Sequence, residues 1–219
     1  MHATPAKPSA LTVREAAVVA DVSVRKVHQM IDEGLLPDEV VVKGSRERRL
    51  DPSACMIIRF NATAGLRLSK PMRTKVAKKM RKIDPMLVEA YRMVLDEITI
   101  DMSRAAEENR RRLGEMEAAK AMVVSDPDVR GGLPVLMGTR LGVYEVAGLI
   151  EAGSMDEALA AYPSLTPELA RAAVLFAKAH PRTGRPRKAG GTPANDAHLV
   201  ATRVFSADEL EGGAAGNAT

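Results

Sequence analysis

The segment LTVREAAVVADVSVRKVHQMIDEGLLP, residues 11–37, decides how the front of the chain folds. Thr12 followed three positions later by Glu15 is a capping box, in which each side chain satisfies a backbone N–H of the other at a helix start. The helix it opens runs to about Ala20, Asp21-Val22 supply a turn, and Ser23 caps a second helix from Val24 to Glu33. Gly34 stands where a left-handed C-terminal cap is wanted, and Pro37 prevents continuation. Two short helices joined by a tight turn read as a helix-turn-helix. The spacing of the second helix turns Val24, Val27 and Ile31 inward, and Arg25, Lys26, His28, Gln29 and Asp32 outward. In this motif the first turns of the second helix enter the major groove of DNA. Arg and Lys match guanine edges there and Gln matches adenine, which makes Arg25, Lys26, His28 and Gln29 candidate contacts.

The next residues strengthen that reading. Val40-Val41-Val42 and Arg49-Leu50 are β-prone flanks around KGSRER, residues 43–48, and predict a hairpin with a basic tip. Lys43, Ser45, Arg46, Arg48 and Arg49 are candidate phosphate or minor-groove contacts. Residues 11–50 as a whole resemble the MerR-type winged helix, which implies DNA binding. A helix from Asp51-Pro52 to about Ala64 buries Met56, Ile57 and Phe60, and Ser69 with Pro71 opens another. Lys70 and Arg73 on that last helix can reach phosphate, which adds affinity without sequence preference. The expected DNA-binding domain spans 11–84, after a Pro/Ala/Ser-rich and disordered stretch over 1–10.

Residues 85–122 form the connector. Ile98, Ile100 and Met102 alternate with polar residues and predict a strand, paired with one within 88–95. Ser103 to Ala121 is a charged helix in which Met102, Ala106, Asn109, Leu113, Met116, Lys120 and Val123 recur at heptad-like spacing. Such a seam suits a helix pair, so Asn109, Leu113 and Met116 are candidate dimerisation residues. Packing of the same seam on its own chain is the alternative.

The second informative stretch is VVSDPDVRGGLPVLMGTRLGVYEVAGLIEAG, residues 123–153. Gly131, Gly132, Gly138 and Gly142 invite comparison with a phosphate-binding loop, but neither Gly-Lys-Ser/Thr nor the first-third-sixth glycine spacing is present. The glycines read instead as two tight turns around Val135-Leu136-Met137. A helix over Val143–Ala152 buries Val143, Val146, Ala147 and Ile150. Ser154 with Glu157 caps one to Ala161, and Thr166-Pro167 opens one to Ala179 burying Leu169, Ala173, Val174 and Ala177. Asp126-Pro127, Gly131-Gly132-x-Pro134-Val135, Gly138-Thr139-Arg140 and Val143 resemble domain-of-unknown-function family 433. So do Ala152-Gly153-Ser154-x-Asp156-Glu157-Ala158 and Tyr162-Pro163-x-Leu165-Thr166. The resemblance covers about a quarter of the chain. It implies a bacterial type II (VapB-like) antitoxin, a class often partnered with PIN-like toxins. Glu168 at the start of the last helix would repel phosphate, so this three-helix module, 123–180, reads as a protein-interaction or dimerisation unit.

Residues 181–219 open with a Pro/Gly-rich basic linker in which Gly184-Arg185-Pro186 resembles an AT-hook core. The apolar residues Leu199, Val200, Val204, Phe205 and Leu210 follow and suit folding on a partner, making them candidate toxin contacts. Charge divides the same way. Residues 1–90 carry 17 Lys/Arg against 10 Asp/Glu, whereas 123–180 carry 4 against 7, so the front favours a polyanion and the rear does not. One cysteine excludes an internal disulfide framework and suits a reducing cytosol. No apolar run approaches the ~20 residues of a membrane span. The four histidines are scattered and no metal-ligand spacing occurs, so neither an enzyme, a cofactor nor a metal is expected.

The sequence therefore predicts a mainly α protein: a winged helix-turn-helix domain, a second three-helix domain, a small hairpin wing and a short strand pair. The expected function is a cytoplasmic, dimeric antitoxin that neutralises a PIN-like ribonuclease and autorepresses its operon by binding operator DNA. An effector-responsive MerR-like regulator without a toxin partner, or an excisionase-like architectural protein, are the alternatives.

Overall fold

The computed structural model describes residues 9–43, 47–85, 87–88, 91–95 and 98–182. Among these the fold is mainly helical, with three small antiparallel sheets. Two helices, α1 (Val13–Ala20) and α2 (Val24–Asp32), lead. The capping box forms as the sequence requires: Thr12 N–H donates to Glu15 Oε2 at 2.6 Å and Glu15 N–H to Thr12 Oγ1 at 3.1 Å. Asp21 closes α1 with φ 58°, and Ser23 Oγ accepts from Lys26 N–H. Gly34, at φ 66°, turns the chain out of α2, a conformation that costs any other residue about 1 kcal/mol or more. The buried stripe of α2 is Val27 and Met30, with Val24 and Ile31 half-buried. It is rotated from the expected one because Met30 must reach inward to the Leu35-Leu36 pair that follows the turn.

The hairpin is β2 (Val41–Lys43) and β3 (Arg48–Leu50), with Val41 opposite Leu50 and Lys43 opposite Arg48. A third strand, β1 (Leu11–Thr12), pairs with the other edge of β3. The residue that caps α1 thus also belongs to a sheet, which fixes the hairpin to the start of the helix pair. Helices α3 (Ala54–Ala62) and α4 (Lys70–Met80) follow, then the expected strand pair as β4 (Arg92–Leu95) and β5 (Ile98–Asp101). Met93 and Ile100, opposite each other, are its buried contacts.

Helix α5 (Ser103–Ala121) packs against α1, α3 and α8 (Pro167–Ala179). The expected dimer seam is accordingly turned into the chain's own core: Asn109, Leu113 and Met116 are fully buried there, which leaves nothing for a second copy to pair with. The periodicity located the apolar face correctly, and this chain covers it by itself.

The rear module holds its own smaller core around Leu136, Val143, Val146, Ala158, Leu165, Ala170 and Ala173. Strands β6 (Val123–Val124) and β7 (Val135–Leu136) pair across the glycine turns, in which Gly131, Gly132 and Gly138 have φ of 65°, 80° and 75°. These are turn glycines, as their spacing implied. Helix α6 (Val143–Ala152) and α7 (Met155–Ala161) complete the module with α8. Helix α8 buries Ala170, Ala172, Ala173 and Ala179, while Leu169 and Ala177 are half-buried and Val174 remains 38% exposed. The expected face was drawn for one neighbour. The helix has two, α6 and α5, and alanine lets both come close.

Asn109 is the one polar residue of the α5 seam inside the core, and neither of its amide atoms has a hydrogen-bond partner among the described residues. An orphaned buried polar group costs ~1–3 kcal/mol. Replacing Asn109 by leucine, of similar shape, is expected to raise the thermal midpoint by ~2–4 °C per kcal/mol regained. A circular dichroism melt measures this. A lowered midpoint would mean that the amide is satisfied by a buried water.

Candidate nucleic-acid interface

On α2, Arg25, His28 and Gln29 are exposed and Lys26 is half-buried. Their present bonds are local: Lys26 Nζ donates to Gln29 Oε1 at 3.1 Å, and Gln29 Nε2 to Glu33 Oε1 at 2.5 Å. The hairpin is tied to the same helix by an ion pair, Arg48 Nη1 to Asp32 Oδ1 at 3.1 Å, in which both side chains are more than half exposed. Arg49 Nη1 donates to the Ala10 carbonyl at 3.4 Å. Exposed pairs of this kind are worth ~0–1 kcal/mol, so these donors can be surrendered to a phosphate or a base edge at little cost. The structure therefore brings Arg48 beside the α2 face that carries Arg25, His28 and Gln29, whereas Arg49, the next residue of β3, is held at Ala10 instead. Lys43 takes its place in β2 opposite Arg48. Ser45 and Arg46 lie outside the described residues.

The two candidates on α4 are differently placed. Lys70 is exposed, but α4 packs on α3. The Arg73 stem lies over Gly65, where an added Cβ would stand 3.3 Å from Arg73 Cδ, and the side chain is half-buried. Arg73 is thus partly a packing residue. Leu199, Val200, Val204, Phe205 and Leu210 lie outside the described residues.

What the sequence missed is the mounting of α1. Glu15 is buried, 2% exposed, and the Oε1 of its carboxylate lies 3.3 Å from Lys120 Nζ on α5. The His180 Nε2 just after α8 stands 3.2 Å from the same oxygen, in ion-pair range although not well aligned for a hydrogen bond. Burial would raise the Glu15 pKa. The His180 contact, the Thr12 N–H and the charge of Lys120 together outweigh it and hold the carboxyl at about 2. His180 is in turn fixed by its ring against Phe176, 4.4 Å between centroids, and by the Tyr144 hydroxyl donating to its carbonyl at 2.7 Å. The turn between α1 and α2 is braced as well. Arg112 of α5 contacts Asp21 at 3.2 Å and Glu108 at 2.7 Å, and Arg59 of α3 reaches Glu108 at 3.2 Å. The Arg112 guanidinium holds the Asp21 and Glu108 carboxyls below the usual range. The pairing of a helix-capping Glu with residues of distant helices leaves no local signature; the heptad position of Lys120 was its only trace.

In the rear module Arg130, at φ 50°, forms a two-pronged pair with Glu145, its Nη1 and Nη2 at 2.6 and 2.5 Å from the carboxylate oxygens. The pair passes over Gly142, where an added Cβ would stand 2.8 Å from Arg130 Nη1. Glu145 is held below the usual carboxylate range by Arg130. The remaining titratable group of chemical interest, Cys55, is fully buried, and burial pushes its thiol up to about 12, so it is no nucleophile. Among the described residues no group of three or more His, Cys, Asp or Glu could hold a metal ion, and no helix is long and apolar enough to cross a membrane.

Residues 123–177 match the family described as "Protein of unknown function (DUF433)". Over 210 residues the chain is 35% identical to the "Uncharacterized protein y4eO" of Sinorhizobium fredii, covering 91% of this chain and 95% of that protein. No solved structure matches.

Because the Glu15 carboxyl is depressed in the folded state, its stabilising effect is complete above its unfolded value near 4.5 and is lost as pH falls toward 2. At ~1.4 kcal/mol per pH unit, that is about 3 kcal/mol. Glu15→Gln is expected to be less stable at pH 7 and to show a shallower loss between pH 4.5 and 2, read by urea denaturation at each pH. An acid profile parallel to that of the unmodified protein would show that Glu15 is not so held.

Proposed function

We propose that this chain, which belongs to the same family as the Sinorhizobium fredii protein y4eO, is a two-ended regulator of the antitoxin type. Its front binds operator DNA and its DUF433 module, with the tail, takes a protein partner. The observation that carries the DNA half is the Asp32–Arg48 pair, which joins the exposed donors of α2 to the β2–β3 hairpin in one basic surface. Read as a winged helix-turn-helix of MerR type, α2 is the reading helix and the hairpin is the wing. Arg25, Lys26, His28 and Gln29 would address base edges, and Arg48 and Arg49 the backbone. Lys43, Ser45, Arg46 and Lys70 belong to the same set by charge or hydrogen-bonding capacity.

The antitoxin assignment rests on the DUF433 resemblance. It brings with it a PIN-like ribonuclease as the partner to be neutralised and autorepression of the operon as the purpose of DNA binding. The surplus of carboxylates over cations in 123–180 supports giving this half to protein rather than DNA. Two copies would be needed to read a two-fold operator, and they would pair through a surface other than Asn109, Leu113 and Met116.

Arg25→Ala combined with Lys26→Ala is expected to weaken binding to a duplex from upstream of the gene by tenfold or more, since each good base contact is worth ~1–3 kcal/mol. Fluorescence anisotropy at moderate salt measures this. Unchanged affinity would remove α2 from the interface.

A further inference from the structure

A cleft of about 550 Å³ follows the seam between α5 and α8. Ala118 and Ala119 of α5, with Met122 just after it, face Val174 and Leu175 of α8, and Ile150 closes one end. A second cleft of about 260 Å³ shares Glu115, Leu175 and Lys178 with the first and carries the groove on to Val18 and Val19 of α1. Along α8 it extends from Glu168 to Lys178, about 15 Å at the rise of a helix.

The walls select the occupant. Both are helices whose backbone groups are already bonded, so no strand can be added there. The lining has no aromatic residue, which disfavours a polyproline segment, a ligand that docks in aromatic grooves. A small polar ligand needs converging free polar groups. At the rim Glu168 is instead paired with Arg171 at 3.0 Å and Glu115 with Arg111. What remains is an apolar trough about three turns long, floored by alanines that let another backbone approach closely. Lys178 stands at one end, where Asp21, whose carboxylate feels its charge, is taken up by an ion pair with Arg112. These features fit an amphipathic helix.

We propose that the α5–α8 groove docks an amphipathic α-helix of a partner protein, with apolar anchors at i, i+3 or i+4, and i+7, and a carboxylate at the end that meets Lys178. This deepens the partner-binding half of the function proposed above and is independent of its DNA half.

The test uses the full chain and three fluorescein-labelled helical peptides: one with leucines in that spacing and glutamates at one end, one with the glutamates replaced by lysines, and one with the leucines dispersed. Anisotropy is expected to show micromolar binding of the first peptide and at least tenfold weaker binding of the other two. Val174→Asp should abolish binding, and Lys178→Glu should reverse the preference between the glutamate and lysine peptides. Val174 is partly exposed and Lys178 exposed, so both variants are expected to fold, which circular dichroism checks. Failure of the first peptide to bind, or equal binding of all three, overturns the proposal, as does binding unaffected by either substitution. A fall in molecular mass on Val174→Asp also overturns it, by assigning the groove to a second copy. Operator binding measured on the same variants should be unchanged, so loss of peptide binding and failure of the DNA reading are separately visible.

Discussion

One buried carboxylate holds the front and rear of the described chain to a common centre. Glu15 lies inside α1, yet its oxygens are approached by a backbone N–H of its own helix start, by Lys120 near the end of α5 and by His180 just beyond α8. A carboxylate in such a place is tolerated only when paired; removing one partner of a buried pair typically costs ~3–5 kcal/mol. The consequence is positional. Helix α1 cannot rotate or slide without uncovering a charge, and α2 is fastened to α1 by a left-handed turn at Asp21 that Arg112 also grips. The orientation of the exposed α2 face is thereby set by residues far from it.

The same arrangement gives α8 two duties. Its alanines close the small core of the DUF433 module on one side, while Leu175 and Ala179 join the larger core on the other. The described residues belong to a single compact unit, so the module matched at 123–177 is packed against α1 and α5 rather than strung behind them. Whatever occupies the module acts on a body continuous with α1 and the helix that follows it.

Local chemistry was legible in the sequence where the rule is local. Thr12 and Glu15 formed their box, Ser23, Ser154 and Thr166 capped their helices, and Gly34, Gly131, Gly132 and Gly138 took the left-handed conformations that their turns require. The basic face of α2 and the hairpin beside it were also readable, because amphipathic spacing and β-prone flanks need no tertiary knowledge. What covers a buried face was not readable. Asn109, Leu113 and Met116 have the spacing of an intermolecular seam, and only the approach of α1 and α3 shows that the seam is internal. Val174 was assigned to the core because one neighbour was assumed for α8, and β1 escaped notice because two residues carry no periodicity. The partners of Glu15 lie in other helices, and no spacing rule spans that separation.

The burial of Cys55 has a consequence for anyone handling the molecule. It is the chain's sole cysteine, and its thiol is both sealed in the core and held protonated far above neutral pH. Alkylating and maleimide reagents act on the thiolate, so the native protein is chemically silent toward them while folded. A cysteine placed anywhere on the surface would then be the single reactive handle for a dye or a crosslinker. Modification of Cys55 itself would report the moment at which the core opens.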